Sequence, residues 1–76
     1  MEELLKFLVT ALVEDDSAVV VKKEEDENSI NYIVSVASND LGKVIGKGGK
    51  TAQSIRTIMK SIGTKSHKKV FVKFGE

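Results

Sequence analysis

The stretch Val44-Ile45-Gly46-Lys47-Gly48-Gly49-Lys50-Thr51 holds three of the six glycines of this 76-residue chain. Those three glycines fall within four positions, between two segments with helical spacing. Glycine reaches positive φ without a Cβ penalty, and it lets a ligand approach the main chain closely. A helix that begins after such a turn offers unpaired N–H groups and the positive end of its dipole, and both favour an anion. The stretch therefore predicts a phosphate-holding loop, and the alternative is a tight surface turn with solvated lysines.

The residues on either side of the loop predict two helices. Ser38-Asn39-Asp40 offers capping oxygens for a short helix over Leu41–Ile45, which would end at Gly46. The following helix is expected from about Lys50 to Ile62, with Gly63 placed to end it. Its apolar residues recur at spacings of three and four, as one packed face requires. The apolar set is Ala52, Ile55, Ile58, Met59 and Ile62, and the outer polar set is Gln53, Arg56, Thr57 and Lys60.

Three segments have the composition of strands. Residues 18–21 are rich in β-branched side chains, and together with the two lysines that follow they are predicted to form a strand. Glu24–Asn28 is interpreted as an acidic turn. Ser29–Ala37 alternates in hydropathy, and residues 70–74 supply the last strand. One side of the alternating strand would hold Ile30, Tyr32, Val34 and Val36. Because Tyr32 shares that side with three aliphatic residues, the pattern favours a core position for it over a base-stacking role.

The predicted order of elements is α-β-β-α-α-β, with the glycine loop between the second and third helices. The first two strands should pair as a hairpin. The crossover from the second strand to the third should be right-handed, which makes these strands parallel if they are neighbours. We therefore expect an α+β fold, in which three helices pack on one face of a three-stranded mixed sheet.

The first helix, expected over Met1–Glu14, carries more apolar surface than one packing face needs. Its apolar positions sweep roughly 240° of the helix circumference, well beyond a single stripe. Two explanations stay open: the helix is sunk deeply into a small core, or part of it covers a partner or a second copy. Leu5 and Val9 are interpreted as outward residues, so their polar replacement would test the second explanation.

Composition restricts the class of protein. We expect a single domain over residues 1–76, with a core that is marginal at this length. The chain has no cysteine, which excludes disulfides and thiolate metal sites and favours a cytoplasmic setting. Glu2 and Glu3 stand where a signal peptide would carry positive charge, and the apolar run beside them is too short to cross a bilayer. We expect a soluble protein with no membrane contact.

The net charge of +1 conceals a division between the two halves of the chain. Residues 1–38 hold three lysines against nine acidic residues, a net charge of −6. Residues 39–76 hold nine basic residues against two acidic ones, a net charge of +7. A one-sided basic surface around the glycine loop is what a nucleic-acid binder presents.

The stretch Val44–Gly49, with Asp40 and Gly42 before it and Ala52 and Ile55 after it, resembles the Gly-X-X-Gly signature of KH domains. Gly46 and Gly49 would be the framing glycines. The order α-β-β-α-α-β is similar to the bacterial, type II form of the KH fold. The resemblance covers the whole chain, whose length looks like that of the small bacterial RNA-binding proteins of the KhpA type.

The resemblance implies binding of single-stranded RNA, about four nucleotides per domain, with the loop clamping the backbone. It implies an RNA chaperone linked to cell shape, acting as a homodimer or with a larger KhpB-like partner protein. The residues that it assigns to RNA binding are Lys43, Ile45, Gly46, Lys47, Gly48, Gly49, Lys50 and Thr51. We expect no cofactor, no metal and no small-molecule substrate.

Other functions fit the residues less well. A nucleotide-hydrolysing P-loop would need glycine at position 44, where this chain has Val44. His67 is the only histidine and stands among lysines, so we expect a solvated loop residue and no enzyme activity. A protein-interaction module that keeps the KH fold without binding RNA stays open as the alternative.

Overall fold

A computed structural model describes residues 2–65 and 67–75. The helices and strands, in chain order, are α1 (Glu2–Thr10), β1 (Val20–Glu25), β2 (Ser29–Ser35), α2 (Leu41–Ile45), α3 (Lys50–Lys65) and β3 (Lys69–Gly75). Single 3₁₀ turns occupy Asp16–Ala18, Ser38–Asp40 and Lys47–Gly49. The predicted order α-β-β-α-α-β is confirmed, as is the placement of the glycine loop between two helices. Met1, the first residue of the predicted first helix, lies outside the described residues.

The three strands form one mixed sheet in the order β1-β2-β3. β1 runs antiparallel to β2, from Val20 beside Ser35 to Glu25 beside Ile30. β2 runs parallel to β3 in an unbroken register from Ser29 beside Lys69 to Ser35 beside Gly75. The expected parallel pairing across the helical crossover is therefore confirmed, and β3 is an edge strand.

The core lies between the sheet and the three helices. Successive side chains of a strand point to opposite faces, and every second residue of β2 is buried on the helix side. The buried core residues that share this space include Leu5, Val9, Ile30, Tyr32, Val34, Val44, Ile55, Met59, Val70 and Val72. Tyr32 is only 1 % exposed among these aliphatic side chains, which confirms its predicted core position. Burial raises the pKa of the Tyr32 hydroxyl.

The first helix is shorter than predicted, and two of its residues face the other way. After Thr10 the Leu12 N–H donates to the Val9 carbonyl at 3.0 Å, which tightens the turn and ends α1. Leu5 and Val9 are fully buried, so their interpretation as outward residues is wrong. They lie four positions apart, on one helix face, and that face packs on the sheet. The apolar surface that the core does not cover belongs to other residues. Leu4, Phe7 and Leu12 are the exposed large apolar residues of this segment.

β1 begins two residues later than predicted and continues into the predicted acidic turn. Val20 to Glu25 all pair with β2, so backbone hydrogen bonds extend the strand through residues of low β propensity. The turn shrinks to the residues around Asp26. The Asp26 carboxylate accepts the N–H groups of Asn28 at 2.8 Å and Ser29 at 2.7 Å. These bonds lower the pKa of Asp26.

α3 continues past Gly63, which was predicted to end it. Gly63 lies within α3 and is buried. A Cβ there would overlap Val70 Cγ2 and lie 3.1 Å from the Lys68 carbonyl oxygen. Glycine at this position therefore lets α3 approach β3 closely. The helix ends at Lys65, and His67, two positions further on, has a φ of +60°. The Lys68 N–H donates to the Gly63 carbonyl and the His67 N–H donates to the Thr64 carbonyl, each at 3.2 Å, which is a Schellman motif.

Candidate nucleic-acid interface

α2 positions the first half of the glycine loop. This helix packs against α3 and β3 through Val44, which is fully buried. Ile45, one residue further on, points to the surface and is exposed. Gly46 then ends the helix: its N–H donates to the Gly42 carbonyl at 2.9 Å, and its φ of +77° turns the chain away from the helix axis. The predicted bounds of α2 and its end at Gly46 are confirmed.

Three glycines in the loop adopt backbone conformations that other residues rarely reach. The φ angles are +77° at Gly46, +65° at Gly48 and +76° at Gly49. The Gly49 N–H donates to the Gly46 carbonyl at 3.1 Å and closes the turn. Side chains with a Cβ pay an energetic penalty in this region, so the sequence Gly-Lys-Gly-Gly is what this turn requires.

The glycines differ in what surrounds them. A Cβ on Gly46 would lie 2.6 Å from Thr51 Cβ and 2.9 Å from Thr51 N, so this glycine lets the loop fold against the first turn of α3. Gly48 and Gly49 have no atom within 4 Å of the same position. They leave bare main chain on the surface beside the N-terminus of α3, which a ligand can approach.

The three lysines around the loop differ in their electrostatic surroundings. Lys47 and Lys50 are exposed on either side of Gly48 and Gly49. Neither takes part in any of the four ion pairs recorded over the described residues. Lys43 lies in the middle of α2, with its Nζ 2.8 Å from Glu14 Oε1 and 3.4 Å from Asp40 Oδ1. The hydrogen bond to Glu14 is the main reason that the pKa of Lys43 is raised. Its charge is therefore compensated within the protein.

Asp40 has a role that the sequence did not suggest. The prediction that residues 38–40 cap α2 is wrong, because no side-chain hydrogen bond caps that helix. The buried Asp40 carboxylate instead accepts the N–H of Glu14 at 3.2 Å and the N–H of Asp15 at 3.0 Å. The bond from Asp15 has the largest effect on the pKa of Asp40 and lowers it, and the bond from Glu14 and the contact with Lys43 lower it further. Burial acts in the opposite direction. Its spacing of three from Lys43 is the one signal visible in the sequence.

Arg56 connects α3 to the edge of the sheet. The sequence placed it on the outer polar face of the helix, yet its Nε donates to the Val72 carbonyl at 3.0 Å. Its guanidinium carbon lies 5.5 Å from the centroid of the Phe74 ring, within the range of a cation–π contact. Arg56 and Phe74 therefore form one wall of the surface between α3 and β3. No feature of the sequence pattern pairs these two residues.

The structure places most of the predicted site residues at the loop, but not all of them. Ile45 to Thr51 form one continuous surface at the start of α3, whereas Lys43 is turned toward the segment before β1. Across residues 2–65 and 67–75, no three histidine, aspartate or glutamate side chains are grouped as a metal would require. Within the same ranges, no helix has the length and hydropathy to cross a membrane.

A three-stranded mixed sheet, three helices in the order α-β-β-α-α-β and a Gly-X-X-Gly turn between α2 and α3 define a type II KH domain. The family model described as "KhpA/KhpB, KH domain" matches residues 2–74. The chain belongs to this family.

Relatives of similar length support the assignment. The chain is 43% identical over 70 residues to the RNA-binding protein KhpA of Listeria monocytogenes strain EGD-e, covering 92% of both chains. It is 44% identical over 72 residues to KhpA of Caldanaerobacter subterraneus subsp. tengcongensis, covering 95% of this chain and 96% of the relative. With KhpA of Chlamydia trachomatis serovar D the identity is 37% over 76 residues, covering 100% and 97%.

Solved structures show the same fold at low sequence identity. Aquifex aeolicus Era bound to GDP and aluminium fluoride superposes with a TM-score of 0.69 at 17% identity. Era in complex with MgGDPNP and nucleotides 1506–1542 of 16S ribosomal RNA superposes with a TM-score of 0.70, also at 17% identity. Both alignments cover 97% of this chain but only 29% and 28% of the Era chains. At this identity the likeness establishes the fold alone.

Proposed function

We propose that this protein binds single-stranded RNA through the loop Gly46–Gly49. The observation that carries the proposal is the bare main chain at Gly48 and Gly49, held at positive φ beside the N-terminus of α3 between exposed Lys47 and Lys50. The relatives with 37–44% identity are named RNA-binding proteins, which supports the same class of ligand.

The geometry supports a clamp on the sugar-phosphate backbone. The RNA backbone lies against Gly48 and Gly49, where no side chain of the loop intervenes. The first N–H groups of α3 donate to phosphate oxygens, and the helix dipole favours the negative charge. Lys47 and Lys50 supply full positive charges on either side. About four nucleotides are held in this way, with bases against Ile45, α3 and β3.

Such a clamp is weak on its own. If three or four lysines neutralise phosphates, log K falls with log salt at a slope of about −2 to −3, and Kd lies near the nonspecific range of roughly 10⁻⁴ to 10⁻⁶ M. Because Lys43 is already paired with Glu14 and Asp40, its contribution is the smallest of the group. Useful affinity requires a second binding site in the same complex.

The exposed side of α1 is the proposed contact with that second site. Phe7 is 67% exposed, and Leu4 and Leu12 are exposed with it. We propose that this apolar side covers a second copy of the chain or a larger KH-containing partner of the KhpB type. Linking two RNA sites gains about 10² to 10⁴ in affinity through effective concentration. Contacts that address the backbone of many RNAs are suited to an RNA chaperone.

The test replaces Lys47 and Gly48 together by aspartate. At Gly48 the site is open, and its φ of +65° is in the region that aspartate tolerates better than most residues. We expect binding of a short oligouridylate to be lost while the circular dichroism spectrum and oligomeric state are unchanged. The matched control, Lys6→Asp with Ser17→Asp, makes the same change in net charge at exposed positions away from the loop.

The two variants separate a local site from a general charge effect. Loss of RNA binding in the loop variant but not in the control supports the clamp. Equal loss in both variants, or unchanged binding in the loop variant, contradicts it. A wild-type protein that binds no RNA at all favours the alternative of a KH-fold interaction module.

A further inference from the structure

The face of the sheet turned away from the helices is uncovered, and its edge strand carries an exposed aromatic residue between two lysines. In β3 the side chains of Val70 and Val72 are buried on the helix side. Lys69, Phe71 and Lys73 alternate with them and point to the open face. Phe71 is 43% exposed, although phenylalanine is among the residues most often buried in protein cores.

The neighbours of Phe71 across the strand pair carry no negative charge. Asn31 lies beside Phe71, Ser29 beside Lys69 and Ile33 beside Lys73 in the parallel register. The nearest acidic side chain of this face in the register is Glu24, which pairs with Asn31 from β1. It lies two strands away from Phe71, or about 9–10 Å.

A third lysine reaches the same place from α3. Lys60 and Lys69 line a shallow depression of about 300 Å³ together with Phe71, at the edge of the sheet. Over the described residues, no ion pair involves Lys60, Lys69 or Lys73. Lys68, by contrast, is paired with Glu25. The positive charge around Phe71 is therefore uncompensated.

We propose that Phe71, with Lys60, Lys69 and Lys73, forms a second RNA contact in which one nucleobase stacks on the Phe71 ring. This inference rests on the RNA binding proposed above and extends its footprint beyond the four nucleotides held at the loop. Stacking on an exposed aromatic residue tolerates any base, and the lysines attract the adjacent phosphates. Lys60 lies ten residues beyond Lys50, about 15 Å along α3, so a longer strand leaving the loop meets this surface.

The charge distribution favours RNA over a second copy of the chain on this surface. Antiparallel pairing of two β3 edges about a two-fold axis at Phe71 would place Lys69 of each copy beside Lys73 of the other. Lysines on an edge strand oppose such pairing. The same lysines that repel a second copy of the chain attract a polyanion such as RNA.

The experiment uses tryptophan fluorescence, since the chain contains no tryptophan. Phe71→Trp is titrated with oligouridylates of four and of twelve nucleotides. We expect quenching by the longer strand and none by the shorter one, because the shorter strand is held at the loop. Val20→Trp is the control: Val20 is 48% exposed on the same face of the sheet, at the opposite edge.

Affinity measurements on Phe71→Ala complete the test. We expect a loss of about five- to a hundredfold for the longer strand, as stacking contacts generally show, with no change for the shorter strand and an unchanged circular dichroism spectrum. Equal affinity of Phe71→Ala and wild type for the longer strand overturns the inference, while loss of binding in the Lys47, Gly48 double variant still supports the loop. A change in sedimentation of Phe71→Ala without RNA assigns the surface to protein contact and also overturns it. Failure of the wild type to bind either strand refutes the proposed function itself.

Discussion

Asp40 accepts a hydrogen bond of 3.0 Å from the backbone N–H of Asp15, twenty-five positions away in the chain. This bond and the one from the Glu14 N–H tie the segment between α1 and β1 to the residue that precedes α2. A buried carboxylate thus holds together two parts of the domain that no strand pairing connects. The helix α2 follows Asp40 and leads into the glycine loop, so this contact helps to position the start of the candidate RNA site.

Asp40→Asn is expected to lower the melting temperature at neutral pH, because two backbone N–H groups lose a charged acceptor. The folded state lowers the pKa of Asp40 below the unfolded value of about 3.9. The stabilisation is therefore present above about pH 4 and is lost as the pH falls through the folded-state pKa. Thermal melts between pH 2 and pH 7 should show a flatter acid limb for the variant. Asp16→Asn, an exposed position, should leave the pH profile of the wild type unchanged.

Gly63→Ala is expected to destabilise the protein by about 1–3 kcal/mol, since the added methyl group overlaps Val70 and forces overpacking between α3 and β3. Gly42→Ala is the matched control. Gly42 lies in α2 with open space around its Cβ position, so the same change should stabilise by up to about 1 kcal/mol through helix propensity. Urea unfolding measures both. Equal effects of the two changes would contradict the packing role of Gly63.

His67→Gly is expected to stabilise the fold by up to about 1 kcal/mol. His67 occupies the left-handed position of the Schellman motif that ends α3, where glycine carries no Cβ penalty. His67→Ala keeps the unfavourable φ and should gain nothing. Chemical denaturation compares the two, and a greater stability of the alanine variant would argue against backbone strain at this residue.

Lys47→Gln is expected to reduce the salt slope of RNA binding by about 0.7, the value for one phosphate contact on a single strand. Lys43→Gln should reduce it by less, because Glu14 and Asp40 already compensate that charge. Fluorescence anisotropy with an oligouridylate over a range of salt concentrations gives both slopes. A larger effect at Lys43 than at Lys47 would place the RNA on the side of α2 that faces Glu14, and not at the glycine loop.

Phe7→Glu is expected to shift the protein toward monomer if the exposed side of α1 covers a second copy, since a charge would then be buried in the contact. Val20→Glu makes the same change in charge at another exposed apolar residue and should leave the assembly as it is. Sedimentation velocity measures both. A wild type that stays monomeric at high concentration and captures no KH-containing partner from cell extract would remove α1 as an interface.

The features closest to the candidate site were predictable because they depend on neighbouring residues. The turn at Gly46–Gly49 follows from the φ angles that glycine alone reaches easily, and α2 ends where Gly46 ends it. The alternation of β2 and the buried position of Tyr32 follow from the period of two in a strand. The family resemblance rested on these same residues.

What the amino-acid sequence determined by itself was local: the order of elements, the loop and the faces of β2. Tertiary structure alone decided the rest, because the deciding atoms come from distant parts of the chain. Gly63 serves packing instead of helix termination because Val70 lies against it, and Lys43 is compensated because the Glu14 segment folds back onto α2. Leu5 and Val9, rather than Phe7, enter the core because the sheet packs on that side of α1. Periodicity shows that a helix has an apolar side, but only packing shows how much of it is covered.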